Sequence, residues 1–499
     1  MTVSSAPLSP ATEANIKSIL AWLAMTRDHS GSDDAEQLHR QLLKLRGTPM
    51  PIAERCKLLD LLYDRVERLV KAELPGFQKM ALPVANKMRL RIKRIVGLLE
   101  IMTQDYSIAL TELLGPADND SPHNALLRAM QCITWQIKID HLVAAPTGVG
   151  LWRQLHALFR TARRHRLETL PDPRGNAGIA RLYSDILLAT IAQPASFSAS
   201  ELEFINDYIE GSPFCVELSD TPPIGAEAVF WIDLERDIGA HALIRRLPAA
   251  ESQPLYFACD AIATEARRQL DELERGASAA DLKLPPFAET RAGRGVLRRL
   301  ADGWGKPARR RFPRRRQAYR ANLCLGLDSL WRLMRHVGNP VPLSEWMVTN
   351  ESPEGYALMH VGGDTDNLRI GDVVAVQAID ERHDAPWHIC LIRWAISENP
   401  EHIELGLQLL APRAIAAEIA QPGELDAGCV AVLILPETPP LRPSESLLTP
   451  PGKIERTGAP LILLVERDNL LIREIRAGNL DGQTGSIELF SVVARDDSV

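Results

Sequence analysis

The spacing of apolar residues changes once along this chain, and that change constrains what it can fold into more than any other feature. Over the first two hundred or so residues the spacing is helical. From Thr12 to Met25, Ile16, Ile19, Leu20, Trp22 and Leu23 fall largely on one face. Residues 52–73 repeat the pattern with Leu58, Leu59, Leu61, Leu62, Val66 and Leu69, and 84–114 with Met88, Leu90, Ile92, Ile95, Leu98, Leu99 and Met102. The same reading predicts helices over 122–143, 148–166 and 175–193, separated by breakers such as Gly115-Pro116 and Pro171-Asp172-Pro173. Ser198 and Glu201 have capping-box spacing and predict a helix over 199–209. No convincing repeat of fixed period is present, so an all-α bundle or irregular helical scaffold is expected here, with a degenerate helical solenoid as the alternative.

From about residue 320 the period becomes two. Strands are predicted at 321–327, 345–349, 356–360, 372–378, 387–395, 402–410 and 428–435, with Gly, Asp, Asn and Pro at the joins. Many short strands joined by turns indicate a small closed or partly closed β-barrel. Between the two regimes, residues 230–234 and 255–259 read as strands, 261–275 as a charged helix and 276–286 as a linker. The tail from Pro460 alternates again, as an extension of the barrel or as a second small β-unit. The fold class is therefore α+β multidomain: a helical domain over 1–215, an α/β connecting segment and linker over 216–285, a basic arm over 286–320, a small antiparallel β-barrel over 321–425 and a β-rich extension or second β-domain over 426–499.

A chain of 499 residues with 45% apolar content has room for roughly two to four such units. No run approaches the roughly 18–20 apolar residues that cross a bilayer. Met1–Thr12 lacks the basic start and apolar stretch of a signal peptide. Seven cysteines stand singly, without ligand spacing for zinc, and read as reduced thiols of a cytoplasmic protein.

The net charge of −7 conceals a strong asymmetry. Between Arg291 and Arg320 lie twelve Lys or Arg and one acid, Asp302. Such an island in an otherwise acidic chain points to one anionic ligand. Its densest part, Arg309 to Arg320, precedes the first barrel strand. Guanidiniums are planar forks that grip phosphate oxygens in pairs and pair with or stack on purines. Further on, Asn350-Glu351-Ser352-Pro353-Glu354-Gly355 offers short hydrogen-bonding side chains and a turn-permitting glycine between two strands.

Together these resemble the two signatures of the PilZ family, R-x-x-x-R leading into a first strand and then D/N-x-S-x-x-G. The resemblance spans about 310–412 and continues in Gly371–Val376, in Ile392-Arg393-Trp394 and in Glu404–Leu409. It implies a barrel that binds cyclic di-GMP, with arginines on the phosphates and guanine faces, Asn350 and Ser352 on a guanine edge, and Gly355 closing the loop. Three arginine registers fit: Arg310/Arg314, Arg311/Arg315 and Arg316/Arg320. Spacing to Asn350 leans toward the last, whereas the surroundings of Arg310 to Arg314 look more like the family's flexible arm. The span is longer than the family's usual one, and Pro353 stiffens the loop.

These expectations describe a second-messenger effector that is not an enzyme. Its ligand is cyclic di-GMP, it needs no cofactor or metal, and its helical region contacts an unidentified protein partner or forms a homodimer. The competing reading is a degenerate PilZ-like adaptor or scaffold that binds no nucleotide. Nucleic acid is the less favoured partner of the arginine island, because only Phe312 and Tyr319 interleave as stacking aromatics. Gly362-Gly363-Asp364-Thr365-Asp366 differs from the GGDEF motif of diguanylate cyclases in its last residues and reads as a turn. No nucleophile, base and oxyanion set assembles in the sequence.

Overall fold

The structure, a computed structural model, describes residues 9–494 apart from 26–30, 79–81, 116–120, 173–174, 176, 308–311, 336–339, 364, 366, 380–384, 400–401, 422–428, 440–441, 455–457, 459 and 467–469. It opens with α1 (Pro10–Ala24), α2 (Gly31–Arg46), α3 (Ile52–Gln78), α4 (Asn86–Leu113), α5 (His123–Leu142), α6 (Leu151–Arg164), α7 (Ile179–Ile191) and α8 (Ala199–Gly211). The periodic segments are helices as expected, and their apolar stripes meet in one core. Leu59, Leu62, Val66, Leu99, Met102 and Ile133 are all buried in it. The capping box is formed: the Ser198 hydroxyl accepts from the Glu201 amide, and the Glu201 carboxylate accepts from the Ser198 amide at 2.7 Å. α2 was not anticipated, because acids and Gln dilute its stripe, yet Leu38, Leu42 and Leu45 are fully buried.

A small sheet of β1 (Val229–Ile232), β2 (His241–Ala242) and β3 (Leu255–Ala258), in the order β2-β1-β3, follows, then α9 (Asp260–Glu274) and α10 (Arg291–Gly305). α10 occupies much of the stretch expected as a basic arm. Its cations share the helix with Val296, Leu297, Leu300 and Trp304, which are buried. The Trp304 ring stacks near Tyr208 of α8, and its indole N–H donates to the Leu188 carbonyl of α7 at 3.3 Å. The helix is thus anchored to the helical core through its apolar face.

The remaining elements are β4 (Arg315–Leu325), α11 (Leu327–Arg335), β5 (Leu343–Ser352), β6 (Gly355–Gly362), β7 (Val373–Ala378), β8 (His388–Asn399), β9 (His402–Ala411), β10 (Ile415–Ala420), β11 (Val430–Leu435), β12 (Ser446–Thr449), β13 (Pro460–Glu466), β14 (Leu470–Gln483) and β15 (Glu488–Ala494). They form two closed antiparallel barrels. The first has the order β4-β5-β6-β9-β8-β7, the second β10-β11-β12-β15-β14-β13. Counted from its own first strand, each barrel has the same connectivity, so the second repeats the topology of the first. The strand expected at 428–435 is β11 and belongs to the second barrel. α11 lies between the barrels, with Leu330 buried and the Trp331 indole N–H donating to Ala417 of β10 at 2.8 Å.

The core of the first barrel is continuous with that of the helices. Backbone bonds tie the two together: Leu82 and Leu368 exchange amide–carbonyl bonds of 3.1 and 3.2 Å, and the Ser397 amide donates to the Ala144 carbonyl at 2.8 Å. Among the described residues no helix is long and apolar enough to cross a membrane.

Candidate functional site

The segment Asn350–Gly355 is a tight β-hairpin. Ser352, the last residue of β5, pairs with Gly355, the first of β6, and only Pro353 and Glu354 lie between them. Proline pre-sets the backbone for the turn. The Ser352 hydroxyl donates to the Gly355 carbonyl at 3.3 Å. Gly355 has φ +149°, and a Cβ there would stand 1.9 Å from the Leu407 carbonyl oxygen of β9. The glycine is therefore required twice, by its backbone angle and by the closeness of the neighbouring strand.

β4 runs alongside this hairpin. Arg315 pairs with Glu351 and Arg316 with Asn350, and a register shift follows before Tyr319 meets Val348. Opposed residues of an antiparallel pair project to the same side, so Arg316 and Asn350 share a face. Arg314, Arg315, Arg316 and Arg320 are all exposed. Arg320 donates to Glu345 of β5 at 2.6 Å, so one member of the spacing-favoured register is held by a carboxylate. Arg310 and Arg311 lie outside the described residues. The structure thus brings Arg315 and Arg316 beside Asn350 and Glu351, and it places Arg320 further along β4, against Glu345.

Two carboxylates escaped the motif-based reading. Glu345 and Glu351 lie on the strand that faces the arginines, and their spacing along β5 was the available signal. Glu351 also accepts from the Tyr319 hydroxyl at 3.3 Å. Burial first, and then the Glu351 charge, pushes the Tyr319 hydroxyl up to about 12, so it stays a donor.

The later family-like segments have clear packing roles. Trp394 pairs with Gly406, and a Cβ on Gly406 would come within 1.8 Å of the Trp394 Nε1. The Arg-Trp and Leu-Gly-Leu pieces are therefore one unit: the glycine vacates the space that the indole fills. Next to it, the Tyr356 hydroxyl and His388 Nδ1 are 2.5 Å apart, and burial lowers the pKa of His388.

A family model described as the N-terminal domain of the cyclic-di-GMP receptor FimW matches residues 17–221. A second, described as the middle PilZ domain of the same receptor, matches residues 332–415. No curated protein matches the chain. The first match gives the helical region a relationship that its periodicity alone did not suggest. The second begins within α11, so it takes in the Asn350–Gly355 hairpin and leaves β4 with its arginines upstream. It runs through β5 to β9 of the first barrel and stops at the first residue of β10. In that order, the chain carries the N-terminal domain and the PilZ domain of the FimW family of cyclic-di-GMP receptors.

Proposed function

We propose that this protein is an effector that binds cyclic di-GMP at the outer edge of the first barrel, where β4 meets the β5–β6 hairpin. The observation that carries the reading is the pairing of Arg316 with Asn350. It joins two stretches of sequence whose chemistry is complementary to one ligand, guanidiniums for phosphate oxygens and an amide for a guanine edge. Arg310, Arg311, Arg314, Arg315 and Arg316 supply the cations in this proposal, with Asn350 and Ser352 beside them and Gly355 fixing the turn. Arg320 joins only by leaving Glu345.

Like charges crowd the segment between α10 and β4, where Lys306, Arg309, Arg310, Arg311 and Arg314 follow one another. A ligand with two phosphates neutralises that repulsion and ties the segment to the hairpin. α10, directly upstream, packs on the helical core through Trp304 and reaches the second barrel through an Arg291–Glu488 ion pair of 2.7 Å. Ligand binding is thereby coupled to the relation between the helical and β units. The helical domain over 1–215 then carries the contact with a protein partner or a second copy, and the protein works in the cytoplasm without a catalytic step.

The Arg320–Glu345 pair favours a second reading, an adaptor whose barrel has traded nucleotide binding for internal contacts. Calorimetry on the full chain separates the two. Micromolar binding of cyclic di-GMP that is lost on changing Arg314, Arg315 and Arg316 to Ala supports the effector. No heat at millimolar nucleotide from folded protein supports the adaptor.

A further inference from the structure

A cleft of about 420 Å³ opens where the helical region and both barrels meet, away from the Asn350 hairpin. The helical side contributes the end of α5, residues 195–201 and Arg299 of α10. The first barrel contributes Leu368–Gly371 and Ile392–Arg393, and the second barrel the turn Gln483–Ser486. Its rim is tied across units. The Thr484 hydroxyl donates to the Gly371 carbonyl at 2.7 Å, and the Ser486 hydroxyl bonds Asp372. The volume falls in the range of small-molecule sites, about 300–1,000 Å³.

Three arginines line this cleft, Arg299, Arg369 and Arg393, against one carboxylate, Glu201. Glu201 is already committed to capping α8 through one oxygen, and its other oxygen stands 3.9 Å from Arg299. Arg299 lies 3.6 Å over the Phe197 ring and donates to the Ser196 carbonyl and hydroxyl. The Arg393 Nε donates to Gln408 at 2.5 Å, and among the described residues neither of its terminal nitrogens has a hydrogen-bond partner. Arg369 lies within electrostatic reach of Asp372, behind the wall.

Enclosure by three units withdraws Arg299 partly from water, whereas Arg369 and Arg393 remain exposed. Desolvation lowers the pKa of Arg299 to about 10, with Glu201 opposing and the Arg393 charge adding to the fall, and it lowers that of Arg393 as well. Gathering like charges in a concave, partly dry space is costly unless an anion balances them. The walls also offer Val84, Phe197, Leu368, Ile370 and Ile392 as apolar surface, and Ser198, Thr484 and Ser486 as hydroxyls. Guanidinium forks, hydroxyls and an apolar wall together suit a phosphate group attached to an organic body.

We propose that this junction cleft binds a small phosphate-bearing molecule of about nucleotide size, at a site separate from the hairpin of the first barrel. The three arginines hold the phosphate and the apolar wall covers the remainder. Because its walls come from three units, an occupied cleft locks them together and raises the melting temperature. The proposal does not depend on cyclic di-GMP binding at the hairpin.

The test is calorimetry and thermal melting of the full chain with guanosine monophosphate and, separately, inorganic pyrophosphate. Wild type is compared with Arg393→Gln, Arg369→Gln and Arg316→Ala. Binding of either probe below millimolar, weakened by about tenfold or more in Arg393→Gln and Arg369→Gln and unchanged in Arg316→Ala, is the expected result. Equal affinity for both probes assigns the recognition to the phosphate, and preference for guanosine monophosphate adds the organic body. Arg393 is exposed at the cleft mouth, so its variant is expected to fold, and an unchanged melting curve without ligand verifies this. Absence of binding by both probes at millimolar concentration overturns the proposal. So does binding that is lost in Arg316→Ala and kept in Arg393→Gln.

Discussion

Arg316 stands directly opposite Asn350 in the β4–β5 ladder, whereas Arg320, four residues on, is paired with Glu345 at 2.6 Å. The two arginines of one candidate register therefore start from different electrostatic positions. A ligand phosphate meets Arg316 without displacing a carboxylate at 2.6 Å and must compete with Glu345 for Arg320. Replacing Arg316 with Ala is expected to cost about 1.5–3 kcal/mol of cyclic di-GMP binding, the range for hydrogen bonds to charged groups. Arg320→Ala should cost less than 1 kcal/mol, in line with exposed ion pairs. Titration calorimetry on the two variants checks the order. A larger loss for Arg320 would assign the phosphate to that side chain and require Glu345 to turn away.

The contact between Gly406 and the Trp394 indole leaves no room for a methyl group. Gly406→Ala should therefore overpack the first barrel and destabilise it by about 1–3 kcal/mol. Shortening Trp394 to Leu in the same chain is expected to recover part of the loss. Gly355→Ala should behave differently. Its obstacle is the Leu407 carbonyl, a backbone atom, and its φ is unfavourable to any side chain. No single side-chain truncation should rescue it. Chemical denaturation of the three variants distinguishes the two cases, and full stability of Gly355→Ala would show that β6 can shift against β9.

Much of this architecture was legible in the sequence, and the exceptions have physical causes. Long amphipathic segments such as 52–73 and 84–114 state their own period, and the alternation from Ala321 onward does the same for strands. α2 was obscured because its buried Leu38, Leu42 and Leu45 are embedded among Asp, Glu, Gln and Arg. β10 reads Ile-Ala-Ala-Glu-Ile-Ala, and alanine carries little strand preference. Without that strand the tail reads equally as an extension of the first barrel or as a second small β-unit. The hairpin glycine and the Trp394–Gly406 unit were visible as motifs, but their reasons were not, since both depend on β9 lying close by. Glu345 as the partner of Arg320 needed the register of β4 on β5, which periodicity cannot supply. The junction arginines come from α10, from the segment before β7 and from β8, so only the folded chain brings them together.

The ion pair between Arg291 and Glu488 joins α10 to the second barrel. Glu488 is almost fully buried and also accepts from the Gly452 amide at 3.1 Å, whereas Arg291 is about a third exposed. Removing the arginine leaves a buried carboxylate without this cation. A fully buried pair broken on one side costs about 3–5 kcal/mol. The partial exposure of Arg291 lowers the expectation for Arg291→Ala to about 1–3 kcal/mol. The loss should appear in the second barrel first, as faster amide exchange in residues 446–449 and 488–494, with the α1–α8 bundle unchanged. Uniform loss across the chain would mean that the barrels and helices unfold as one unit.

The pH dependence of stability contains opposing contributions that one substitution should separate. Burial raises the Asp185 carboxyl to about 6, with Arg181 opposing, and burial raises Asp140 to about 6 as well. Between the unfolded value near 3.9 and 6, the folded protein holds protons on these groups that the unfolded chain has released. Stability therefore falls as pH rises through that window and levels off above it. Burial lowers His141 and His241 to about 4. Between 4 and the unfolded value near 6.5 the unfolded chain binds the extra protons, so these groups make stability rise with pH. Asp185→Asn removes one falling contribution and leaves the rising ones in place. The melting temperature of the variant should accordingly increase more between pH 4.5 and pH 6.5 than that of wild type, within about a few degrees for an effect of this order. A variant whose pH profile runs parallel to wild type would place Asp185 in its ionised form throughout, held there by Arg181 at 2.7 Å.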